Sequence, residues 1–212
     1  MRTTSENAQR AIAEAALSTF CKRGYGLATL EEIGAQVCLT RGAVLHHFKS
    51  KAGLLEAVVD PCRRALAQFL KTGALNDPPT AGQRRLLLIG FADLFLAHRG
   101  ALRLLANDIS ARVQLGLDDQ WFMPPERLVN LLVGSNANHL ARVRVAAAIG
   151  ALIQPVSCGW VDLENATTRG ELIETAVAVF HEPRQTASTM DLEIMATSSK
   201  VRAAPPAQVA TQ

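Results

Sequence analysis

Basic side chains between Thr40 and Lys51 are the part of this sequence with the clearest chemical purpose. Arg41, His46 and His47 lie in this segment, which contains no Asp or Glu. Guanidinium, imidazolium and ammonium groups neutralise phosphates, and an arginine can also form two parallel hydrogen bonds to the edge of a guanine. The segment therefore favours contact with DNA. The alternative is a solvated basic face on an ordinary helical hairpin.

Two short helices must hold these side chains in place. Thr29 and Glu32 have the spacing of a capping box, which predicts a helix with Leu30 and Ile33 facing inward and an end near Cys38. A second helix then begins after a connection of about three residues, and two short helices joined in this way have the layout of a helix-turn-helix.

Thr40 is the predicted N-cap of the second helix. Leu39 and Val44 stand immediately before the cap and one turn after it, where a hydrophobic staple fixes the angle at which the chain approaches the helix. Gly42 lies in the first turn, where free backbone N–H groups and a missing side chain allow close approach to phosphates and base edges. Local interactions therefore orient the helix that carries the basic side chains.

The composition of the whole chain indicates a helical protein. It has 212 residues, of which 49% are hydrophobic and 5% aromatic, and Ala and Leu dominate where a sheet would need β-branched residues. The net charge of +3 permits a nucleic-acid partner without requiring one. No apolar run approaches the roughly 20 residues of a membrane span, and residues 1–10 lack the apolar segment of a secretion signal. We therefore expect a cytoplasmic protein with no membrane partner.

Metal and cofactor chemistry finds little support in the sequence. The four cysteines show no Cys-x-x-Cys spacing and are expected to be buried thiols. His46 and His47 are neighbours in a helix, so their side chains point about 100° apart and one metal ion would not reach both. The sequence therefore predicts no metal site and no cofactor.

Apolar periodicity predicts further helices on both sides of this segment. The first spans residues 3–23 and is ended by Gly24 and Gly26, and another begins at the cap Ser50, kinks at Pro61 and reaches Gly73. Later helices are predicted at residues 83–98, 101–110, 125–132, 137–153 and 170–181. The expected fold is all-α: three short helices, a connecting helix and a larger bundle, followed by a tail that lacks a period and is expected to be disordered.

The segment around the two short helices resembles the DNA-binding domain of the TetR family of transcriptional regulators. The likeness covers roughly residues 8–55, and the matching positions are Thr29, Ile33-Gly34, Thr40, Gly42, Leu45, His47-Phe48, and Lys51 with Leu54. Two positions depart from the family pattern. Cys38 replaces the turn glycine, which costs strain if the backbone there is left-handed. Leu45 replaces a tyrosine whose hydroxyl usually reaches the DNA backbone, so that only apolar contact remains.

The resemblance implies how the chain contacts an operator in double-stranded DNA. Phosphate contacts are assigned to Thr29, His47 and Lys51. The base contacts and their immediate neighbours on the DNA-facing surface are Thr40, Arg41, Gly42, Ala43, Leu45 and His46. Phe48 is expected in the core, against Ile12 and Phe20.

A homodimer that pairs through two C-terminal helices is also implied by the resemblance. A two-fold dimer places two recognition helices about 34–36 Å apart, the spacing of successive major grooves. The predicted interface residues are Ala146, Ile149, Leu152, Ile153, Leu172, Ile173, Ala176, Val177 and Phe180.

The middle of the chain is expected to house a pocket for a small molecule, since bulky groups with few polar anchors are typical of apolar ligand sites. The candidate lining residues are Cys62, Phe69, Phe91, Phe95, His98, Trp121, Phe122 and Met123. Core packing is the alternative for each. The implied domains are a helix-turn-helix domain at residues 1–50, a ligand-binding and dimerisation domain at residues 51–182 and the tail at residues 183–212. The implied mechanism is repression relieved by a ligand, with Pro61 as the hinge.

Other classes of function are less well supported. The chain has no Gly-x-Ser-x-Gly, phosphate-loop or His-Glu-x-x-His motif, so we do not expect an enzyme. A helical protein-binding adaptor with weakened DNA binding is an alternative because of Cys38 and Leu45. A ligand-independent activator is another.

Overall fold

The structure is a computed structural model that describes residues 4–71, 76–117, 124–158 and 165–180. All regular secondary structure in these ranges is α-helical, as predicted. The helices are α1 (Thr4–Arg23), α2 (Leu30–Gln36), α3 (Arg41–Phe48), α4 (Lys51–Phe69), α5 (Ala81–Ala97), α6 (Arg99–Asn107), α7 (Ile109–Gln114), α8 (Glu126–Val133), α9 (His139–Cys158) and α10 (Ala166–Ala178). Within these ranges, none of the helices is both long and apolar enough to cross a membrane.

The first helix packs as its apolar period predicts. Ile12, Ala16 and Phe20 fall on one face of α1 and are at most 1% exposed. Gly24, with φ of +81°, ends the helix in a backbone conformation that favours glycine.

The connecting helix α4 begins where the sequence predicts, because the Ser50 hydroxyl accepts a hydrogen bond from the Gly53 N–H at 2.9 Å. The helix continues through Pro61 to Phe69.

Two apolar cores lie on either side of the junction between α4 and α6. The N-terminal core is built from α1 to α4 and also takes in Leu104 and Leu105 of α6. The bundle core is built from α5, α6 and α8 to α10 and takes in Cys62 of α4. The helices α4 and α6 each contribute to both cores and therefore connect the bundle to the helices that carry the basic segment.

The helix predicted at residues 101–110 is two helices in the structure. Asp108 has an extended backbone, and its side chain accepts a hydrogen bond from the Ala111 N–H at 3.0 Å. This cap ends α6 at Asn107 and starts α7 at Ile109, a boundary that the apolar period does not reveal.

The last two helices are also displaced from their predicted bounds. The helix α9 continues through Pro155 to Cys158, beyond the predicted end at residue 153. The helix α10 begins at Ala166 instead of residue 170, since the Asn165 side chain accepts a hydrogen bond from the Thr167 N–H at 2.9 Å. The predicted tail lies outside the described residues, and the predicted boundary between residues 50 and 51 stays a prediction.

Candidate nucleic-acid interface

The predicted capping box at the start of α2 is present. The Thr29 hydroxyl accepts a hydrogen bond from the Glu32 N–H at 3.2 Å, and the Glu32 carboxylate accepts one from the Thr29 N–H at 3.0 Å. Leu30 and Ile33 are buried beneath it. The first helix of the pair is therefore fixed by interactions within one turn.

The turn between α2 and α3 has the backbone conformation that the missing glycine implies. Cys38 has a φ of +56°, in the left-handed region that L side chains rarely adopt. The Leu39 N–H then donates to the Gly34 carbonyl at 2.9 Å, and the Thr40 hydroxyl caps α3 by accepting from the Ala43 N–H at 3.2 Å. The left-handed backbone at Cys38, on which the expected strain depends, is present.

Replacing Cys38 by glycine is expected to stabilise the chain by about 1 kcal/mol, because glycine adopts positive φ without steric cost. Urea denaturation of the purified protein measures the change. Cys38→Ala is the matched control, since alanine removes the thiol but keeps the strained Cβ. If Cys38→Ala stabilises the chain as much as Cys38→Gly, the gain does not come from the backbone.

The helix α3 has one inward side and one accessible side. Val44 is fully buried. Arg41, Gly42 and His46 are exposed, while Ala43 is half-buried. The helix α3 contains no acidic residue, so its accessible surface carries only neutral and basic groups.

Leu45 and Phe48 are half-buried and pack against the N-terminal core, which contains Ile12 and Phe20. Phe48 thus anchors the helix, as expected. Leu45 leaves only part of its side chain available for the apolar contact to DNA that the sequence predicts.

Arg41 is held by an acidic residue of the preceding helix. Its Nε atom lies 3.3 Å from the Glu31 Oε1 atom, and the two side chains are 61% and 60% exposed. The neighbouring Glu32 instead forms an ion pair with Arg23. The pair joins two helices across a turn, so the sequence pattern does not reveal that Glu31 has a partner.

Lys51 is engaged with the loop that follows α1. Its ammonium donates to the Gly26 carbonyl at 3.1 Å and lies 4.5 Å from the centre of the Tyr25 ring. Burial lowers the pKa of Lys51 from its ordinary value, while the charge of Asp108 acts in the opposite direction. Lys51 therefore ties α4 to this loop, and its predicted phosphate contact would compete with that role.

Asp108 ties the same loop to α7. Its carboxylate accepts hydrogen bonds from the Tyr25 N–H, from the Ala111 N–H at 3.0 Å and from the Ser110 hydroxyl at 2.6 Å. The Gly26 N–H donates to the Ser110 hydroxyl at 3.2 Å. Burial alone would raise the pKa of Asp108, but these hydrogen bonds outweigh it and hold the pKa below its ordinary value.

Asp108→Asn is expected to lower the free energy of unfolding at pH 7 by about 1–3 kcal/mol, because Asn keeps the cap on α7 but replaces the oxygen that accepts from the Tyr25 N–H by an amide NH2 group. The folded-state pKa of Asp108 lies below its ordinary value of 3.8, so its contribution is present above that pH and is lost as the pH falls through the folded-state pKa. The free energies of unfolding of the natural chain and of the Asp108→Asn variant, measured from pH 3 to pH 7, should therefore converge at the acidic end. Glu56→Gln, which removes an exposed carboxylate on α4, is the control. A difference in unfolding free energy between the two proteins that is the same at every pH would contradict this role of the Asp108 carboxylate.

An apolar cavity of about 240 Å³ lies where α4, α5, α6, α8 and α9 meet. Its apolar lining includes Cys62, Phe91 and Phe95, which the sequence analysis assigns to the pocket. The lining residues that the sequence analysis did not assign are Val59, Arg63, Leu66, Leu102, Leu105, Leu117, Pro124, Pro125, Leu128, Ile149, Ile153 and Ser157. No local signal distinguishes them from ordinary core residues.

The other predicted pocket residues lie elsewhere. Phe69 packs on Phe91 with ring centres 5.8 Å apart, behind the lining. His98 is the C-cap of α5 and does not line the cavity, so its assignment to the pocket is corrected. Trp121, Phe122 and Met123 lie outside the described residues.

A larger open groove of about 520 Å³ runs between the end of α1 and α6–α7, and its lining includes Arg23, Arg103 and Asp108. This charged lining favours water over an apolar ligand.

The predicted dimer face requires a correction. Ile149, Leu152, Ile173 and Ala176 are buried in the core of their own chain, where α9 packs on α10. The remaining predicted residues of the face are Ile153, Leu172, Val177 and Phe180, which are half-buried, and Ala146, which is exposed.

The sequence pattern does not show which side of an apolar helix is covered. The exposed apolar side of α9 consists of Leu140, Val143, Ala146, Ala147 and Gly150, here called the α9 outer face.

Sequence comparison relates part of the chain to bacterial regulators. The profile described as bacterial regulatory proteins, tetR family, matches residues 12–58. The HTH-type transcriptional regulator TtgR of Pseudomonas putida is 36% identical over 104 residues, which are 47% of this chain and 50% of TtgR. The HTH-type transcriptional repressor BepR of Brucella suis biovar 1 is 32% identical over 80 residues, which are 37% of this chain and 38% of BepR. The chain thus spans about half the length of these curated relatives, or less.

Solved structures share the fold over most of the chain. Mycobacterium smegmatis AmtR matches with a TM-score of 0.59 and 19% identity over 97% of each chain. A TetR-like transcriptional regulator from Rhodococcus sp. RHA1 matches with a TM-score of 0.56 and 19% identity over 84% of this chain and 96% of its own. Residues 12–58 thus match the tetR family of bacterial regulatory proteins at the helix-turn-helix, and the chain shares the fold of these solved regulators.

Proposed function

We propose that this chain is a DNA-binding transcriptional regulator that works as a homodimer and as a repressor released from its operator by an apolar small molecule. The observation that carries the proposal is the geometry of α2 and α3. A capped helix without acidic residues presents Arg41 and His46 to solvent while Val44 anchors it in the core. This is the arrangement by which a recognition helix enters the major groove. Such a regulator works in the cytoplasm, where bacterial DNA lies.

The proposed DNA contacts are of two kinds: phosphate contacts, which provide affinity, and base contacts, which provide specificity. Thr29 and His47 would contact phosphates, together with Lys51 if it leaves the Gly26 carbonyl. Thr40, Arg41, Ala43 and His46 would contact bases from the first turns of α3, with Gly42 allowing close approach and Leu45 adding a limited apolar contact. The proposal assigns no catalytic residue and no metal.

Binding to DNA at two salt concentrations tests the core of the proposal. The purified chain is titrated into a fluorescent random duplex at 50 and 200 mM salt, and bound fragments of genomic DNA are then selected and sequenced. A DNA-binding regulator with 6–10 phosphate contacts loses about 10³–10⁵ in affinity over this range. An adaptor that has lost DNA binding shows no salt-dependent binding and enriches no sequence, and that result would overturn the proposal.

The proposed dimer uses the α9 outer face. Leu140 and Val143 on this face are 66% and 50% exposed, and neighbouring exposed apolar groups of this kind favour an interaction surface. A Cβ added at Gly150 would meet no atom within 4 Å, so the chain itself leaves this position open to a second copy.

The proposed ligand site is the apolar cavity. Val59 and Leu105 line it and also belong to the N-terminal core. A ligand that pushes these two side chains would therefore act on both cores at once, which supports a coupling between the cavity and α3. Apolar surface dominates the lining, so the ligand class is a small apolar or aromatic molecule.

Ile153→Trp is expected to fill the cavity and to weaken binding of the apolar fluorescent probe N-phenyl-1-naphthylamine by about tenfold or more, because overpacking a filled site costs about 1–3 kcal/mol. Fluorescence titration measures the affinity, and a DNA titration with saturating probe measures the coupling. Leu86→Trp, at an exposed position of α5, is the control. If the Ile153→Trp variant binds the probe as tightly as the natural chain, the cavity is not the binding site.

A further inference from the structure

The Glu31–Arg41 ion pair joins the first turn of α2 to the first residue of α3. The Arg41 Nε atom lies 3.3 Å from the Glu31 Oε1 atom, and both side chains remain about 60% exposed. Glu31 takes no part in the capping box, which uses Glu32. The contact therefore does not serve to cap α2.

The geometry of the pair leaves a specific part of the guanidinium free. An arginine has five N–H donors in a planar fork, and the Nε edge of this fork is the side that lies nearest the Glu31 carboxylate. The two terminal nitrogens can still donate in parallel to the O6 and N7 atoms of a guanine. An unrestrained arginine must give up rotamer freedom to make that contact, whereas a side chain already held by a carboxylate gives up less.

We infer that Glu31 is a positioning residue that pre-orients Arg41 for the reading of one guanine in each half-site. The inference rests on the proposed function, since it assumes that α3 enters the major groove of DNA. Glu31 itself need not touch a base.

A carboxylate so close to DNA also repels phosphates, so the removal of Glu31 is expected to change affinity and base preference in opposite directions. Removing Glu31 should strengthen binding to random duplex, because one negative charge is lost. The same change should weaken the preference for the guanine that Arg41 reads. If Glu31 only stabilised the N-terminus of α2, its removal would leave the base preference at every position of the half-site unchanged.

The test selects bound sequences from a random duplex library with the natural chain and with the Arg41→Ala, Glu31→Ala and Glu31→Gln variants. Arg41→Ala marks the base pair that Arg41 reads. Glu31→Ala is expected to relax preference at that same base pair, by about two- to fivefold per half-site, the range of an exposed ion pair. Glu31→Gln is expected to keep part of the preference, because its amide oxygen can still accept from Nε. Glu56→Gln, on the second turn of α4, controls for the loss of one carboxylate.

Three outcomes would overturn the inference while leaving the proposed function intact. Glu31→Ala could leave base preference unchanged at the base pair where Arg41→Ala relaxes it. It could instead relax base preference at a different base pair. Its effect could also persist in full when Arg41 is already replaced, in the Glu31→Ala, Arg41→Ala double variant. Failure of the proposed function is distinct, since the natural chain would then enrich no sequence at all.

Discussion

Replacing Ala147 by Glu is expected to convert the proposed dimer to monomers and to weaken binding to an operator with two half-sites by about 10²–10⁴-fold. The second half-site would no longer bind at the high effective concentration that a dimer provides. Ala147 lies in the middle of the α9 outer face, between Val143 and Gly150, and its neighbours in the fold leave it exposed. An acidic side chain there would be buried without a partner in the dimer and would face its symmetry-related copy.

Light scattering after size-exclusion chromatography measures the oligomeric state of this variant, and fluorescence anisotropy measures its affinity for the operator. Val113→Glu is the matched control, because Val113 is 71% exposed on α7 and does not belong to the α9 outer face. The control is expected to stay dimeric and to bind normally. A dimeric Ala147→Glu variant would place the interface on another surface.

Arg41→Ala is expected to lower affinity for the preferred operator by about 30-fold to 10⁴-fold, because each of two half-sites loses a bidentate contact worth about 1–3 kcal/mol. Affinity for random duplex should fall far less, since the change removes one cation from an interface with many phosphate contacts. Titration of both duplexes under the same salt conditions gives the two values.

Arg64→Ala controls for the loss of one positive charge, since Arg64 is 74% exposed on α4 and pairs with Asp60. Arg64→Ala is expected to change the affinity for the operator and the affinity for the random duplex only slightly. If Arg41→Ala weakens the operator and the random duplex equally, Arg41 contacts phosphates and another residue of α3 reads the bases.

The helix-turn-helix could be predicted closely because its determinants lie near one another in the chain. The caps at Thr29 and Thr40 join residues that are three positions apart, and both are present in the structure. Val44 is buried where the staple pattern places it. The strained turn at Cys38 was likewise predictable, because the position requires a left-handed backbone whatever residue occupies it.

The other parts of the site depended on contacts between distant residues. Tyr25 donates to Asp108 from 83 positions away, and Lys51 reaches the carbonyl of Gly26. Neither pair has a sequence signal, since the two partners meet only after α1, α4 and α7 pack together. The role of Lys51 in tying the loop to α4 is therefore a finding of the structure.

The amino-acid sequence alone determined the helical class, the two helices of the helix-turn-helix and the residue types on their accessible side, because hydrophobic period and capping act within a few residues. Only the tertiary structure decided which side of α9 is free and which side chains line the cavity. An apolar helix such as α9 offers several faces of similar character, and Ile149 or Leu152 is buried only because α9 is rotated toward α6 and α10. That rotation is set by packing between helices far apart in the chain, which no local pattern encodes.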